Sequence, residues 1–157
     1  MPQIKMPGLK PWARKMVRRG ENISKTEVLL ARAIVVYDQW VQKNFQADGK
    51  LHDSGSLHWK PLSQVTIRMR RKGKRGGGAQ ILRDTRRLQR DWDRNWNTKQ
   101  ASLKSKVGYS ILHERGGETI INKRRVKVPQ RKIFPEKKQG QKIIKPVVDD
   151  FFKNAIK

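Results

Sequence analysis

The chain of 157 residues contains no cysteine. Its absence excludes a disulfide scaffold, a thiolate metal site and a cysteine nucleophile. Long hydrophobic runs are also missing, because the longest, Val28 to Tyr37, is interrupted by Arg32 and is far too short to span a bilayer. Residues 1–5 have no continuous apolar segment of the kind found in secretory signals. A soluble protein is therefore expected.

Acidic residues are scarce. Thirteen Asp and Glu stand against 38 Lys and Arg, which gives a formal net charge of +25 at pH 7. Self-repulsion on this scale destabilises a compact monomer and favours an anionic partner. Nucleic acid is the first candidate for that partner, and an acidic protein surface is the second.

Hydrophobic residues make up 35% of the chain and charged residues 32%, so a modest core is expected. The length is typical of one domain that buries roughly two thirds of its unfolded surface. We therefore expect a basic N-terminal arm over residues 1–22 and a single domain over residues 23–157.

Residues 1–22 contain three prolines and several basic side chains. The spacing of Trp12 and Met16 permits a short basic helix from about Pro11 to Arg19, with the proline in its first turn. The segment is interpreted either as a tethered, partly mobile arm or as a partner-binding one.

A long amphipathic helix is predicted after the sequence Ser24-Lys25-Thr26-Glu27, which has the capping-box pattern. It extends to about Phe45, and apolar residues cover more than half of its circumference. The apolar side chains are Leu29, Leu30, Ala33, Ile34, Val36, Tyr37, Trp40, Val41 and Phe45. Such a helix must pack on a sheet, on another subunit, or on both.

The segment from Asp48 to Leu57 is typical of a loop. Ser63 then favours a short helix through Ile67 and Met69, for which it would be the N-cap.

Six of the eight residues from Arg68 to Arg75 are basic, and three glycines follow. Charge repulsion and backbone entropy predict a mobile loop at about residues 70–80. A phosphate-binding glycine loop would need a preceding strand and a Gly-Lys-Ser/Thr ending, so nucleotide binding is not expected.

The block from Ile81 to Gly117 is the centre of the chain. Two strands are predicted in it, at Leu88 to Thr98 and at Ala101 to Val107, joined as a hairpin by a polar turn. Leu88, Trp92 and Trp96 are also spaced by four, so an amphipathic helix fits the first segment almost equally well.

A short helix from Tyr109 to Glu114 is predicted to end at the glycine pair Gly116-Gly117. Short strands then follow at residues 119–121 and 126–128. An amphipathic helix from about Gln141 is expected to be kinked or started by Pro146. The order of elements predicts an α+β fold, in which a small antiparallel sheet is packed by a long N-terminal helix and a C-terminal helix.

Few residues suggest catalysis. His52 and His58 lie six apart without a second pair of ligands for zinc. His113-Glu114 lacks a second histidine four residues later, so a corner at His113, Gly116 and Gly117 is interpreted as structural, with the imidazole bonded to a backbone group. Carboxylate pairs that could be proposed as a two-metal cluster occur at Asp91 and Asp93, beside two arginines, and at Asp149 and Asp150 on the last helix. No catalytic, metal or cofactor site is predicted.

Five segments, in order, resemble one family. They are a helix ending at Phe45, then Trp59 to Thr66, Leu82 to Leu88, Tyr109 to Gly116, and Pro129 to Phe134. The family is that of the virion-morphogenesis or tail-completion proteins of tailed phages, including the Mu and P2 types. It carries Gly-x-x-Trp-x-Pro-Leu, Leu-x-x-Thr-Gly-x-Leu, Tyr-Ala-x-x-His-x-x-Gly and Pro-x-Arg-x-Phe motifs.

The resemblance covers residues 25–157, with two departures. Arg86 stands where the family has glycine, so a turn with positive φ is not expected there. Ser110 replaces the usual alanine.

The resemblance implies a structural virion protein without enzymatic activity. It would act at the neck or the head-proximal end of the tail, in a homo-oligomeric ring with six-fold symmetry expected. The partners implied are a tail tube or tail terminator protein on one side and head-closure or connector proteins on the other, with genomic DNA in the channel as a further contact. The expected location is the virion, and the host cytoplasm during assembly.

Two sets of contact residues are expected. Subunit or partner contacts are assigned to Leu30, Ile34, Tyr37, Val41, Trp59, Trp92, Trp96 and Phe151. Contacts with DNA or an acidic partner are assigned to Arg68, Arg70, Arg71, Lys72, Lys74, Arg75, Arg124 and Arg125.

Two other functions fit the composition less well. A basic protein that binds nucleic acid without sequence specificity would use the basic clusters, and exposed Trp92 and Trp96 could stack on bases. A nuclease would require metal-dependent cleavage that is lost when Asp91 or His113 is changed.

Overall fold

The computed structural model describes residues 4–5, 23–72, 79–121 and 123–155. The predicted helix from Pro11 to Arg19 and residues 73–78 of the predicted mobile loop, including Lys74 and Arg75, lie outside the described residues.

The described residues form five α-helices and five strands. The helices are α1 Ile23–Gln46, α2 Gln64–Lys72, α3 Arg87–Arg90, α4 Ser110–Arg115 and α5 Lys137–Ala155. The strands are β1 Ile4–Lys5, β2 Trp92–Trp96, β3 Ala101–Ser105, β4 Gly117–Ile121 and β5 Arg124–Val128. None of the described helices is both long and apolar enough to cross a membrane.

The strands form two small sheets. One has the order β1–β3–β2, with Ile4 opposite Leu103, and the other is the antiparallel ribbon β4–β5, with Gly117 opposite Val128. Together with the long helices near either end, these sheets confirm the predicted α+β fold.

The described chain divides into two compact units. Unit 1 comprises residues 4–5, 23–40, 93–104 and 135–155. Unit 2 comprises residues 41–72, 79–92, 105–121 and 123–134. The central block from Ile81 to Gly117 therefore contributes to both units.

The amphipathic pattern of α1 is confirmed by burial. Leu29, Leu30, Ala33, Ile34 and Tyr37 are at most 3% exposed in unit 1, and Val41 and Phe45 are fully buried in unit 2. The helix begins at Ile23, before the expected N-cap Ser24. In unit 1, Asp38 is buried on the same helix and pairs with Arg94 at 2.7 Å.

Several element boundaries differ from the predictions. Strands β2 and β3 end two residues early, at Trp96 and Ser105, and β4 and β5 begin two residues early, at Gly117 and Arg124. The first predicted strand begins at Trp92 instead of Leu88, because residues 87–90 form a helical turn that buries Leu88. Helix α2 continues to Lys72, into the predicted loop. Helix α5 begins at Lys137, four residues early, and contains Pro146 in its interior.

The hairpin, the short helix and the glycine stop agree with the predictions. Asn97 closes the β2–β3 turn because its side-chain Oδ1 accepts hydrogen bonds from the N–H groups of Lys99 and Gln100 at 2.8 and 2.9 Å. Ser63 caps α2 by accepting a hydrogen bond from the Thr66 N–H at 3.2 Å. Gly116 ends α4 with φ +73°.

Arg86 corrects an expectation. It precedes α3 with φ 57° and ψ 3°, in the left-handed region. Arg86 therefore has the positive φ that glycine adopts easily. For a residue with a side chain this conformation costs roughly 1–2 kcal/mol.

Changing Arg86 to glycine is expected to raise the free energy of unfolding by about 0.5–1 kcal/mol. Relief of the left-handed strain outweighs the extra entropy that glycine gives the unfolded chain. Urea denaturation of the wild type and R86G measures the difference. R86Q is the matched control, because it removes the same charge and keeps the strain. A gain of equal size in R86Q would show that charge, and not backbone strain, is responsible.

Candidate functional site

Trp59 is the anchor of a cluster in unit 2. Its side chain is 5% exposed, its ring meets Phe45 edge-on with centroids 5.3 Å apart, and its indole Nε1–H donates to the Lys132 carbonyl at 2.6 Å. Gly49 lies against the ring, with φ +81°, and a Cβ there would be 2.1 Å from the ring. Only glycine leaves room for the tryptophan at that point.

The same carbonyl receives a second buried donor. His52 is 4% exposed, and its Nε2 bonds to the Lys132 carbonyl at 2.8 Å. Asn44 is fully buried, and its side-chain amide donates to the Ile133 carbonyl at 3.4 Å. His52 was placed in a flexible loop by its sequence, but it is a buried residue that fixes the segment 132–133.

Glu114 holds the same segment from the other side. Its Oε2 accepts hydrogen bonds from the N–H groups of Ile133 at 2.6 Å and of Phe134 at 3.4 Å. Burial raises the pKa of this carboxyl group, and the two backbone N–H groups and the charges of Lys132 and Arg115 oppose that rise. The carboxylate serves as a backbone acceptor.

His113 holds the neighbouring segment through its backbone carbonyl. Its carbonyl accepts a hydrogen bond from the Arg131 N–H at 2.7 Å. Its Nδ1 is buried and has no hydrogen-bond partner among the described residues, while the ring meets Tyr109 edge-on. Burial, and secondarily the Arg131 charge, lowers the pKa of His113 to about 4. The expected structural corner is therefore made by the backbone of His113, and no bond from Nδ1 to a backbone group is present.

Arg131 is 6% exposed, and its guanidinium donates to the Lys60 carbonyl at 3.2 Å. Burial lowers its pKa, with Arg70 as the second cause. A buried guanidinium that bonds a carbonyl ties two distant segments together. We call Trp59, His113, Glu114, Arg131 and Ile133 the motif corner.

Three polar side chains of the motif corner bond to the backbone. Among the described residues no group of three His, Asp or Glu side chains could hold a metal ion. The polar atoms of Glu114, Arg131 and Trp59 bond to backbone groups. This arrangement suits the maintenance of a fold.

The residues expected at subunit contacts fall into two groups. Leu30, Ile34, Tyr37, Val41 and Trp59 are at most 5% exposed within the chain and leave no surface for a partner. Trp92 is half-buried against Phe134, with ring centroids 5.3 Å apart. Trp96 is 44% exposed and Phe151 is half-buried, so both retain accessible surface.

The expected basic contacts also differ among themselves. Arg68, Arg71 and Lys72 are exposed on α2, and Arg124 and Arg125 are exposed on β5. Arg70 instead donates to the Gln80 carbonyl at 2.7 Å and lies 3.9 Å from Asp84. It therefore braces α2 within unit 2.

A basic groove in unit 2 was not predicted from the sequence. It has a volume of about 590 Å³, and the residues that line it include Lys60, Arg115, Lys127 and Lys132. No carboxylate and no Trp, Tyr or Phe lines it, and its one aromatic ring is the imidazole of His58. The four cations come from three separate stretches of the chain, at residues 60, 115 and 127–132, so no local sequence pattern predicts that they meet.

Comparison with models of protein families, with curated proteins and with solved structures gives no match to this chain. The resemblance to the tail-completion family therefore depends on the ordered motifs. The five segments that carry them lie within unit 2, at residues 45, 59–66, 82–88, 109–116 and 129–134.

Proposed function

We propose that the chain is a structural protein of a phage virion, which completes the tail and joins it to the DNA-filled head as a subunit of an oligomeric ring. The convergence of the family-like motifs on one corner of unit 2 carries this proposal. Trp59, Glu114 and Arg131 come from three of the segments and bond to the backbone of neighbouring motif segments.

Three side chains of the motif corner bond to the backbone, and this supports an assembly role over a catalytic one. A catalytic site would keep titratable groups free to meet a substrate. Here the most perturbed groups, His113 and Glu114, lie beside backbone atoms that they help to position. Residues that resemble the family motifs therefore maintain a fold.

Exposed apolar side chains provide surface for subunit contacts. Trp96 is 44% exposed, Met69 and Ile120 are each 71% exposed, and Val65 is 66% exposed. Val65 and Met69 lie four residues apart on α2, so they share one face of that helix. A neighbouring subunit that covers this face would bury both side chains.

The expected ring has six-fold symmetry. A tail tube or tail terminator protein would contact one face, and head-closure or connector proteins would contact the other. These features follow from the family resemblance, and the location they imply is the neck of the virion.

Removal of the gene tests the role directly. Electron microscopy of the lysate is expected to show filled heads and tails that are not joined. Mass photometry of the purified protein is expected to give a single oligomer. The M69D variant is expected to shift that oligomer to monomer, because a charge would be buried at the contact, while M69L is expected to retain it.

Two results together would overturn the proposal. One is a purified protein that stays monomeric at every concentration tested. The other is normal head–tail joining when the gene is absent.

A further inference from the structure

The basic groove concentrates positive charge in a concave surface. Lys60 precedes α2, Arg115 ends α4, Lys127 is on β5, and Lys132 follows that strand. A cleft lined by charges of one sign focuses the electrostatic field and attracts an anion more strongly than the same charges spread over a convex surface. The Glu114 carboxylate accepts hydrogen bonds from the backbone of Ile133 and Phe134, and it also interacts with the charges of Lys132 and Arg115, so it offsets part of the positive charge.

The ribbon β4–β5 extends this positive surface. Lys127 lines the groove, and exposed Arg124 and Arg125 follow toward the turn. Opposite residues of an antiparallel pair share a face, and neighbours alternate. Arg125, opposite Ile120, is therefore on one face of the ribbon and Arg124, opposite Ile121, is on the other. One carboxylate, that of Glu118 opposite Lys127, offsets part of this charge.

The chemistry of the groove favours phosphate over other anions. Binding of single-stranded nucleic acid depends on several aromatic side chains that stack on successive bases. The groove lining has no Trp, Tyr or Phe, and its one aromatic ring, that of His58, is bonded through Nε2 to the His52 carbonyl at 3.3 Å. A protein interface is centred on aromatic or other large apolar anchors. The groove is lined by four cations and by three smaller apolar residues, Leu57, Val128 and Pro129. A duplex backbone needs only cations at its phosphates.

We propose that the basic groove and the β4–β5 ribbon bind the phosphate backbone of duplex DNA without sequence specificity. Lys60, Arg115, Lys127 and Lys132 hold phosphates in the groove. Arg124 and Arg125 contact phosphates from the ribbon. This inference does not depend on the proposed ring.

The dimensions fit this ligand. A strand of five residues is roughly 17 Å long, about half of one turn of duplex DNA. The major groove of B-form DNA, roughly 12 Å wide, admits a two-stranded ribbon. Six cations that contact phosphates would give a plot of log affinity against log salt with a slope of about −5.

Fluorescence anisotropy with a labelled duplex of about 20 base pairs, roughly two helical turns, tests the site on the full-length protein. Titrations between about 50 and 200 mM salt give the slope. The double variant R115Q/K127Q is expected to bind roughly 10- to 50-fold more weakly at about 100 mM salt and to reduce the slope by about 2.

The matched control is R68Q/R71Q, which removes the same charge from exposed positions outside the groove. It is expected to change affinity by no more than about three-fold. Urea denaturation verifies that both variants are folded, and mass photometry of the same samples reports the oligomer separately. If R115Q/K127Q loses DNA binding but keeps the oligomer, the DNA site is distinct from the contacts between subunits.

Four outcomes would overturn the proposal. They are no duplex binding at the lowest salt, equal losses in the two variants, tighter binding of the single strand than of the duplex, and tighter binding of polyglutamate of matched charge. The last would assign the groove to an acidic protein.

Discussion

Replacing Trp59 by alanine is expected to lower the free energy of unfolding by about 3–5 kcal/mol. The substitution removes a nearly fully buried ring, its edge contact with Phe45 and its hydrogen bond to the Lys132 carbonyl. The cavity would lie between α1 and segment 132–133, which Asn44 and Glu114 hold in place and prevent from collapsing inward. Urea denaturation followed by circular dichroism measures the loss.

Two variants separate packing from hydrogen bonding. W59F keeps most of the ring and is expected to cost about 1–2 kcal/mol, because the Lys132 carbonyl retains the His52 donor. W96A removes a ring that is 44% exposed and is expected to cost less than about 1 kcal/mol. Equal losses in W59A and W96A would show that Trp59 is not the anchor of the motif corner.

Replacing Glu114 by alanine is expected to lower the free energy of unfolding by about 3 kcal/mol. Its carboxylate satisfies the N–H groups of Ile133 and Phe134, residues that are 0% and 8% exposed. A buried donor left without an acceptor costs roughly 1–3 kcal/mol. E114Q keeps one carbonyl oxygen as an acceptor and is expected to cost about 1 kcal/mol at neutral pH.

The pH dependence of the free energy of unfolding distinguishes the hydrogen-bonding role of Glu114 from a role in packing alone. Burial raises the pKa of Glu114 above its ordinary value of 4.5. The folded state therefore binds the proton more tightly than the unfolded state, so the stability contributed by Glu114 is complete below pH 4.5 and falls as pH rises through the folded pKa. The free energy of unfolding of the wild type should exceed that of E114Q by a smaller amount as pH increases from 4.5 through the folded pKa. An advantage that grows with pH would mean that the carboxylate is stabilised in its charged form.

Local patterns predicted much of the secondary structure. The stripe from Leu29 to Phe45 required a helix with a buried face, since apolar residues recur there at its period. Asn97 to Gln100 and the alternation of Ala101, Leu103 and Ser105 predicted a hairpin, and the structure has one. Gly116 ended a helix as expected.

Two predictions were wrong: that a strand begins at Leu88, and that Arg86 has no positive φ. In both places the neighbouring residues do not determine the backbone conformation. The spacing of Leu88 and Trp92 fits both periods, and burial of Leu88 by a helical turn resolves the ambiguity. A side chain disfavours a left-handed residue by only a few kcal/mol at most, which contacts elsewhere in the fold can offset. Arg86 therefore keeps a turn suited to glycine.

The sequence by itself determined the charge, the absence of thiol chemistry, the amphipathic helices and the hairpins, because each depends on composition or on neighbours a few residues apart. Only the tertiary structure decided which side chains are accessible to a partner and which are buried. It buried Tyr37 and Val41, joined Trp59 to Lys132, and brought Lys60, Arg115, Lys127 and Lys132 to one groove. Trp59 and Lys132 are far apart along the chain, as are Lys60, Arg115 and the stretch from Lys127 to Lys132, and their proximity depends on how the chain packs.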